Sequence, residues 1–240
     1  MSHLETSWLT CRPIAHRGLH DEKYPENSIP AFKAAIEFNY PIELDVQISA
    51  DDVIIVFHDF NTYRMTGINR NIKNINSTEL SSFILSETEY SIPTFEQVLQ
   101  IVNGKVPLLI DIKGVGKPGR LEKILCSRLK RYKGEFAIQS FNPFSIWAVK
   151  RMCPNFITGQ VYKSLNGERL IKKLLFKNCR LNFLSKPNFI AYRLNDNPTK
   201  LIKTAKSKGL IVCCWTIKTK EDQVKALRYC DNYIFEVIRP

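Results

Sequence analysis

Eight short apolar runs recur along the chain with helix-spaced segments between them, and this alternation limits the fold more than any other feature. The runs cover 13–17, 42–46, 107–112, 135–140, 157–161, 188–192, 210–216 and 233–235. Segments with apolar residues at three- and four-residue steps cover 28–39, 94–102, 120–132, 143–152, 168–176, 198–208 and 221–229. Ser28 is an N-cap with Pro30 in the first turn behind it, and Thr94 with Gln97 three residues later makes a capping box. Strands that are apolar throughout need cover on both faces, which parallel sheets obtain from the helices of βα units. Eight such units in 240 residues predict an α/β fold, a closed (β/α)8 TIM barrel, with 1–240 as a single domain.

One stretch departs from the alternation. The polar turn Ser49-Ala50-Asp51-Asp52 leads directly from 42–46 into the apolar run 53–57, with no helix between. That pattern predicts a hairpin mounted on the second strand. Residues 60–92 are polar and rich in Asn, Ser and Thr, and they are expected to form a small cap over the barrel mouth. Residues 49–92 together are therefore read as a hairpin and cap insertion.

Composition narrows the class. A hydrophobic content of 44% is enough for one sizeable core, and no run of 18 apolar residues is present, so no membrane-spanning helix is expected. Residues 1–12 lack the basic and then apolar sequence of a signal peptide. The seven cysteines are odd in number and form no C-x-x-C pair, which fits reduced thiols; a cytoplasmic location is expected. The net charge of +12 is uneven: residues up to 116 include 9 basic and 15 acidic side chains, and those from Lys117 onward include 26 and 8. The lysines of the second half are scattered, as on solvated helix faces, rather than blocked.

Charged residues inside apolar strands point to chemistry. Glu43 and Asp45, spaced i, i+2 within Ile42-Glu43-Leu44-Asp45-Val46, face the same side of their strand. Two carboxylates on a buried face need a cation, and a hard divalent ion accepts carboxylate oxygens well. Asp111 sits likewise in Leu108-Leu109-Ile110-Asp111-Ile112, with Lys113 on the same face, where it can offset phosphate charge. His16 and Arg17 close the first strand before Gly18, and His58 and Asp59 close the hairpin strand. At the C-terminal end of barrel strands, the catalytic face, two histidines can act as general acid and general base.

In their order, these motifs resemble the glycerophosphodiester phosphodiesterase family. The matching text is Ala15-His16-Arg17-Gly18, Pro25-Glu26-Asn27-Ser28, Glu43-Leu44-Asp45-Val46, Phe57-His58-Asp59, Arg64-Met65-Thr66-Gly67, Ile92-Pro93-Thr94-Phe95, Ile110-Asp111-Ile112-Lys113, Ser140-Phe141 and Trp215-Thr216. The resemblance implies a barrel enzyme that uses one divalent ion, Mg²⁺ or Ca²⁺, to hydrolyse small-molecule glycerophosphodiesters to glycerol 3-phosphate and an alcohol. It implies a metal site at Glu43, Asp45 and Asp111, an acid–base pair in His16 and His58, and phosphate binding by Arg17 and Lys113. Asn27 orients groups near the metal, and Trp215, at a strand end, packs against the glycerol. Glu26, Asp59, Ser140 and Phe141 complete the surroundings of the substrate; Glu236, outside the family pattern, falls at the mouth end of the last strand, where it is expected to bind substrate hydroxyls or shift metal binding. The implied route is attack by the substrate's own glycerol hydroxyl, followed by opening of the cyclic phosphate by water.

Three positions depart from the family pattern. Asp111 stands where Glu is usual, Lys218 follows Trp215-Thr216-Ile217 where Asn is common, and Ile234-Phe235-Glu236-Val237-Ile238-Arg239-Pro240 replaces a Thr-Asp-x-Pro ending. Two other readings follow from the sequence: a lysophospholipid- or phospholipid-cleaving enzyme of the same superfamily, and a basic protein binding nucleic acid or an anionic surface without catalysis. No helix-turn-helix, zinc finger or RNP signature accompanies the basic half, so no nucleic-acid partner is expected.

Overall fold

The structure is a computed structural model that describes residues 8–114, 117–163, 182–196 and 199–240. Eight parallel strands form one closed wall: β1 (Ile14–Ala15), β2 (Ile42–Ile48), β4 (Leu108–Ile112), β5 (Phe136–Ser140), β6 (Thr158–Tyr162), β7 (Phe189–Arg193), β8 (Ile211–Ile217) and β9 (Asn232–Phe235). β9 pairs with β1 and β1 with β2, which closes the barrel. β3 (Ile54–Val56) pairs antiparallel with β2 and lies outside the ring, as expected for the hairpin strand. The strand edges differ from the sequence reading by at most a few residues.

Both faces of the wall are apolar for separate reasons. Ile42, Leu44, Val46, Leu108, Ile110, Ile138, Val212 and Cys214 point outward and pack with Phe32, Val98, Leu125, Val149, Ala205 and Ala226 of the helices. Ile14, Leu109, Ala137, Val161, Phe189, Ala191, Ile211, Cys213 and Ile234 fill the interior. The short helix α1 (Trp8–Cys11) adds Trp8 and Leu9 to this inner cluster. Asn232 holds that helix by donating to Leu9 O at 2.9 Å and Arg12 O at 2.7 Å.

The helices begin where their caps dictate. In α2 (Ile29–Glu37) the Ser28 side chain accepts from Ala31 N. The cap insertion adds α3 (Tyr63–Thr66) and α4 (Ser77–Leu80), and Thr94 and Gln97 form the expected capping box at α5 (Phe95–Val102). The predicted helix 120–132 ends earlier, as α6 (Arg120–Leu129), because Arg131 N and Tyr132 N turn to Arg128 O and Leu129 O, three residues back. α7 (Pro143–Met152) matches its prediction, and α8 (Asn182–Ser185) is an additional short helix. The expected helix 168–176 lies outside the described residues, whereas 198–208 and 221–229 become α9 (Thr199–Ser207) and α10 (Lys220–Tyr229). No helix among the described residues is long and apolar enough to cross a membrane.

The insertion has a core of its own. Ile55 turns to the side opposite Ile54 and Val56 and joins Phe57, Met65, Ile72, Ile75, Leu80, Phe83, Leu85 and Ile92. Asp51 ties the hairpin turn to this unit, accepting from Ser49 Oγ at 2.6 Å, Ser77 N at 2.8 Å and Ser77 Oγ at 2.7 Å. The unit stands on β3 beside the wall and reaches the mouth through Arg64.

Interior packing leaves no room at Gly159, where an added Cβ would lie 2.1 Å from the Phe189 ring. Replacing Gly159 by Ala is expected to destabilise the fold by about 1–3 kcal/mol through overpacking. Combining it with Phe189→Leu should restore part of that loss. Urea unfolding of the two single variants and the double variant measures both effects; additive losses in the double variant would contradict the contact.

Candidate active site

Strand alternation that buries leucine on one residue buries a carboxylate two residues further on. Glu43 and Asp45 on β2 and Asp111 on β4 face the barrel axis at its C-terminal end, with Asp45 and Asp111 in register. Each is at most 4% exposed, so the three are removed from bulk water. Ligand oxygens of all three lie within 4.8 Å of one another. Lys113 Nζ bridges Asp45 Oδ1 and Asp111 Oδ2, at 2.9 Å from each.

The loop after β1 supplies the second cation. Arg17 N donates to Glu43 Oε2 at 3.1 Å, its Nη1 donates to Glu26 Oε1 at 2.7 Å, and its Nε lies 3.3 Å from Asp45 Oδ2 as an ion pair. Asn27 grips Asp45 twice: Nδ2 donates to Oδ2 at 2.8 Å, and Asp45 N donates to Asn27 Oδ1 at 3.3 Å. Arg17 and Asn27 both have left-handed backbones, with φ of 55° and 57°, and Asn27 N donates to Arg17 O at 2.9 Å. Gly18, at φ 83°, has no room for a side chain: a Cβ would meet the Ala31 backbone at 2.9 Å.

The charges are shared unequally. Burial acts to raise the Asp45 carboxyl, but Lys113 and Arg17 outweigh it and hold Asp45 well below the usual carboxylate range. Glu43 is driven well above that range by burial and by the charges of Asp45 and Asp111. Asp111 is also raised, by burial first, against the pull of Lys113. Burial disfavours the Lys113 ammonium, yet Asp111 and Asp45 together keep it charged.

Each sequence-predicted histidine has a carboxylate behind it. His16 Nδ1 lies 3.1 Å from Glu236 Oε2, and Lys218 Nζ donates to Glu236 Oε1 at 3.1 Å. Two of the three departures from the family pattern are thus in contact with each other. His58 Nδ1 lies 2.5 Å from Asp59 Oδ1. A carboxylate on Nδ1 fixes the proton there and leaves Nε2 for a substrate. Burial lowers His16, opposed by the bond to Glu236; that same bond holds Glu236 down to about 2.

Arg64 connects the two halves of the site. It donates through Nε to Asp59 Oδ2 at 2.5 Å and through Nη2 to Glu26 Oε1 at 2.6 Å. An unbroken chain of charge then runs from His58 through Asp59, Arg64, Glu26 and Arg17 to Asp45. Burial acts to raise Glu26, but Arg64 and Arg17 hold it below its ordinary value.

Of the residues singled out in the sequence, His16, Arg17, Glu26, Asn27, Glu43, Asp45, His58, Asp59, Asp111, Lys113 and Glu236 all enter this network. Phe141 and Trp215 form an edge-to-face pair, with centroids 5.8 Å apart. Trp215 does not end its strand, since β8 continues to Ile217. Ser140 is fully buried and its hydroxyl is taken up locally, donating to Ile112 O at 2.7 Å and accepting from Asn142 N at 3.1 Å. Its position, one residue out of phase with inward-facing Phe141, turns it from the mouth. Sequence reasoning named Arg64 and Lys218 without giving either a role, and it did not single out His20 or Gln47. Gln47 continues the i, i+2 series of Glu43 and Asp45, and its Nε2 donates to Phe57 O and Asp59 O at 2.8 and 2.7 Å. His20 Nε2 lies 3.9 Å from Glu236 Oε1.

The three inward carboxylates suit a hard divalent ion. The donors are all oxygens, and Asp111 Oδ1 is buried without a hydrogen-bond partner. Three carboxylates against Lys113 and Arg17 also leave the cluster short of positive charge.

The model of the glycerophosphoryl diester phosphodiesterase family matches residues 16–232. A glycerophosphodiester phosphodiesterase of Caldanaerobacter subterraneus subsp. tengcongensis is 31% identical over 227 residues, covering 90% of this chain and 89% of that protein. A solved glycerophosphodiester phosphodiesterase from Parabacteroides distasonis superposes with a TM-score of 0.76 at 25% identity, over 93% of this chain and 92% of that one. An Oleispira antarctica phosphodiesterase, in complex with the product sn-glycerol-3-phosphate, gives a TM-score of 0.76 at 18% identity, over 93% and 92% of the two chains. At that identity the likeness is one of fold.

The Glu236 contacts set two expectations. In Glu236→Gln, NMR titration should show His16 gaining its proton at lower pH than in the parent, because the imidazolium loses its anion. The folded carboxylate titrates near 2 against an ordinary 4.5. Its stabilising contribution is therefore complete above 4.5 and fades as pH falls toward 2. The Gln variant should lack that part of the acid dependence in thermal melts; an unchanged His16 titration would break the assignment.

Proposed function

Because the chain belongs to the glycerophosphoryl diester phosphodiesterase family, we propose that it hydrolyses glycerophosphodiesters to glycerol 3-phosphate and an alcohol at this mouth. The observation that carries the reading is the convergence of three buried carboxylates with two imidazoles, each backed by a carboxylate. The divalent ion, Mg²⁺ or Ca²⁺, would be held by Glu43, Asp45 and Asp111. When bound it supplies positive charge against the phosphoryl oxygens.

The remaining work falls to this chain's side chains. Arg17 and Lys113 stand beside the carboxylates and face the anionic oxygens, whose charge grows as the nucleophile approaches. His16, which burial keeps neutral, takes the proton of the attacking glycerol hydroxyl through Nε2. His58 gives a proton to the departing alcohol oxygen, and the roles reverse as water opens the cyclic phosphate. Asp59 and Glu236 hold the two rings in the tautomer this exchange needs. Trp215 and Phe141 line the organic part of the substrate. Free thiols at Cys126, Cys153, Cys213, Cys214 and Cys230 support a cytoplasmic setting.

Chelation with EDTA should abolish release of glycerol 3-phosphate from glycerophosphocholine or a related diester, and Mg²⁺ or Ca²⁺ should restore it. His16→Gln and His58→Gln should each lower kcat by about 10²–10⁴-fold with the fold intact by circular dichroism. Activity that survives full metal removal would refute the metal assignment, and choline release from lysophosphatidylcholine with none from glycerophosphocholine would move the enzyme to the lysophospholipid class. The raised Glu43 also couples ion binding to pH. Glu43 must lose its proton on binding, so apparent affinity should tighten by about tenfold per pH unit until that carboxyl ionises, with roughly one proton released. Calorimetry in buffers of different ionisation enthalpy reads both quantities.

A further inference from the structure

The wall opposite the carboxylates carries a different charge. Val161 on β6, Ala191 on β7 and Cys213 on β8 face the barrel interior. Alternation then brings the residues two further on, Lys163, Arg193 and Trp215, to the inner side of the rim. Arg193 is in register with Trp215, and Lys163 lies one residue past Tyr162, the partner of Tyr192. Lys163 and Arg193 therefore stand side by side across β6 and β7, about 5 Å apart along the backbone. Lys163 Nζ sits 5.6 Å from the Phe141 ring centroid, and Lys113 Nζ lies 5.8 Å from the same ring.

These two rim cations differ from the others at the mouth. Arg17, Arg64, Lys113 and Lys218 each pair with a carboxylate. Lys163 and Arg193 are exposed, and among the described residues neither has a carboxylate partner. Two adjacent like charges that meet no counter-ion among the described residues form an attractive site for an anion, and an arginine beside a lysine suits phosphate geometry.

The substrate has one place for such an anion. The scissile phosphodiester carries a single negative charge and already faces Arg17 and Lys113. The glycerol end is neutral and has no use for two exposed cations. The charge must then reside on the alcohol that leaves. A quaternary ammonium on that alcohol would meet the opposite of what it needs. Such groups bind in aromatic cages, but the Phe141 ring is already attended by Lys113 and Lys163. We propose that Lys163 and Arg193 form a leaving-group subsite selective for glycerophosphodiesters whose alcohol bears a second phosphate. The inference rests on the phosphodiesterase reading and names the substrate class within it.

Three diesters that differ in leaving-group charge test it: glycerophosphocholine, glycerophosphoinositol and glycerophosphoinositol 4-phosphate. The parent enzyme, with Mg²⁺ or Ca²⁺ at low salt, should rank them by kcat/KM with the phosphorylated diester first and choline last. At least about tenfold should separate the ends, as expected for one or two partly solvated ion pairs. In Lys163→Ala/Arg193→Ala the spread should shrink to within about threefold, mainly through KM, while kcat on the neutral inositol diester stays unchanged. Added salt should compress the parent's ranking in the same direction. Choline equal to or better than the phosphorylated diester in the parent overturns the inference, as does a double variant that keeps the full preference. Release of glycerol 3-phosphate from none of the three refutes the phosphodiesterase reading itself, a result distinct from either.

Discussion

The ion pairs at Asp45 set the terms for everything around them. This carboxylate is 1% exposed and receives Lys113 from the residue after β4, the Arg17 guanidinium from the loop after β1, and the Asn27 amide from the loop before α2. An unpaired charge at that depth would be prohibitively unfavourable. The three donors therefore hold the β1, β2 and β4 segments in one relative position, and the left-handed backbones of Arg17 and Asn27 are maintained by the same contacts. With both cations engaged at Asp45, Glu43 is the carboxylate left short of charge, and burial with the charges of Asp45 and Asp111 drives it well above the usual range.

Around this centre the mouth is polarised. β2, β4 and the residues just past β1 and β9 present carboxylates and imidazoles, whereas the end of β7 and the residue after β6 present Arg193 and Lys163. A barrel permits such a division because each strand contributes one or two inward side chains to a common ring, so charge can be set strand by strand without altering the wall. The uneven charge along the sequence has part of its counterpart here: the acidic first half builds the carboxylate side, and the basic second half furnishes the opposite rim.

What the sequence disclosed follows the range of the physics involved. Period-two placement of Glu43, Asp45, Asp111 and Lys113 is local, and it put all four on the correct face. Capping at Ser28 and Thr94 is equally local and marked two helix starts. Ser140 was selected from a family motif, but its side chain is one residue out of phase with the mouth, and only the strand register reveals that. The bond between His16 and Glu236 spans 220 residues, and no periodicity links them. Arg64 lay in a recognised motif without a role, because its two partners come from different loops. Lys163 and Arg193 continue the inward alternation of β6 and β7, yet the sequence alone offered no core residue against which to set the phase.

β1 contributes only Ile14 and Ala15 to the sheet, yet it joins β2 on one side and β9 on the other. His16 lies at this seam, with its backbone N donating to Phe235 O at 2.9 Å and its ring against Glu236. In the order of synthesis, the imidazole is made early and its carboxylate is translated after every other strand. Until that last segment pairs, the His16 backbone lacks Phe235 O and its ring lacks Glu236. Closing the barrel and setting the His16 imidazole against its carboxylate therefore depend on the same last segment of the chain.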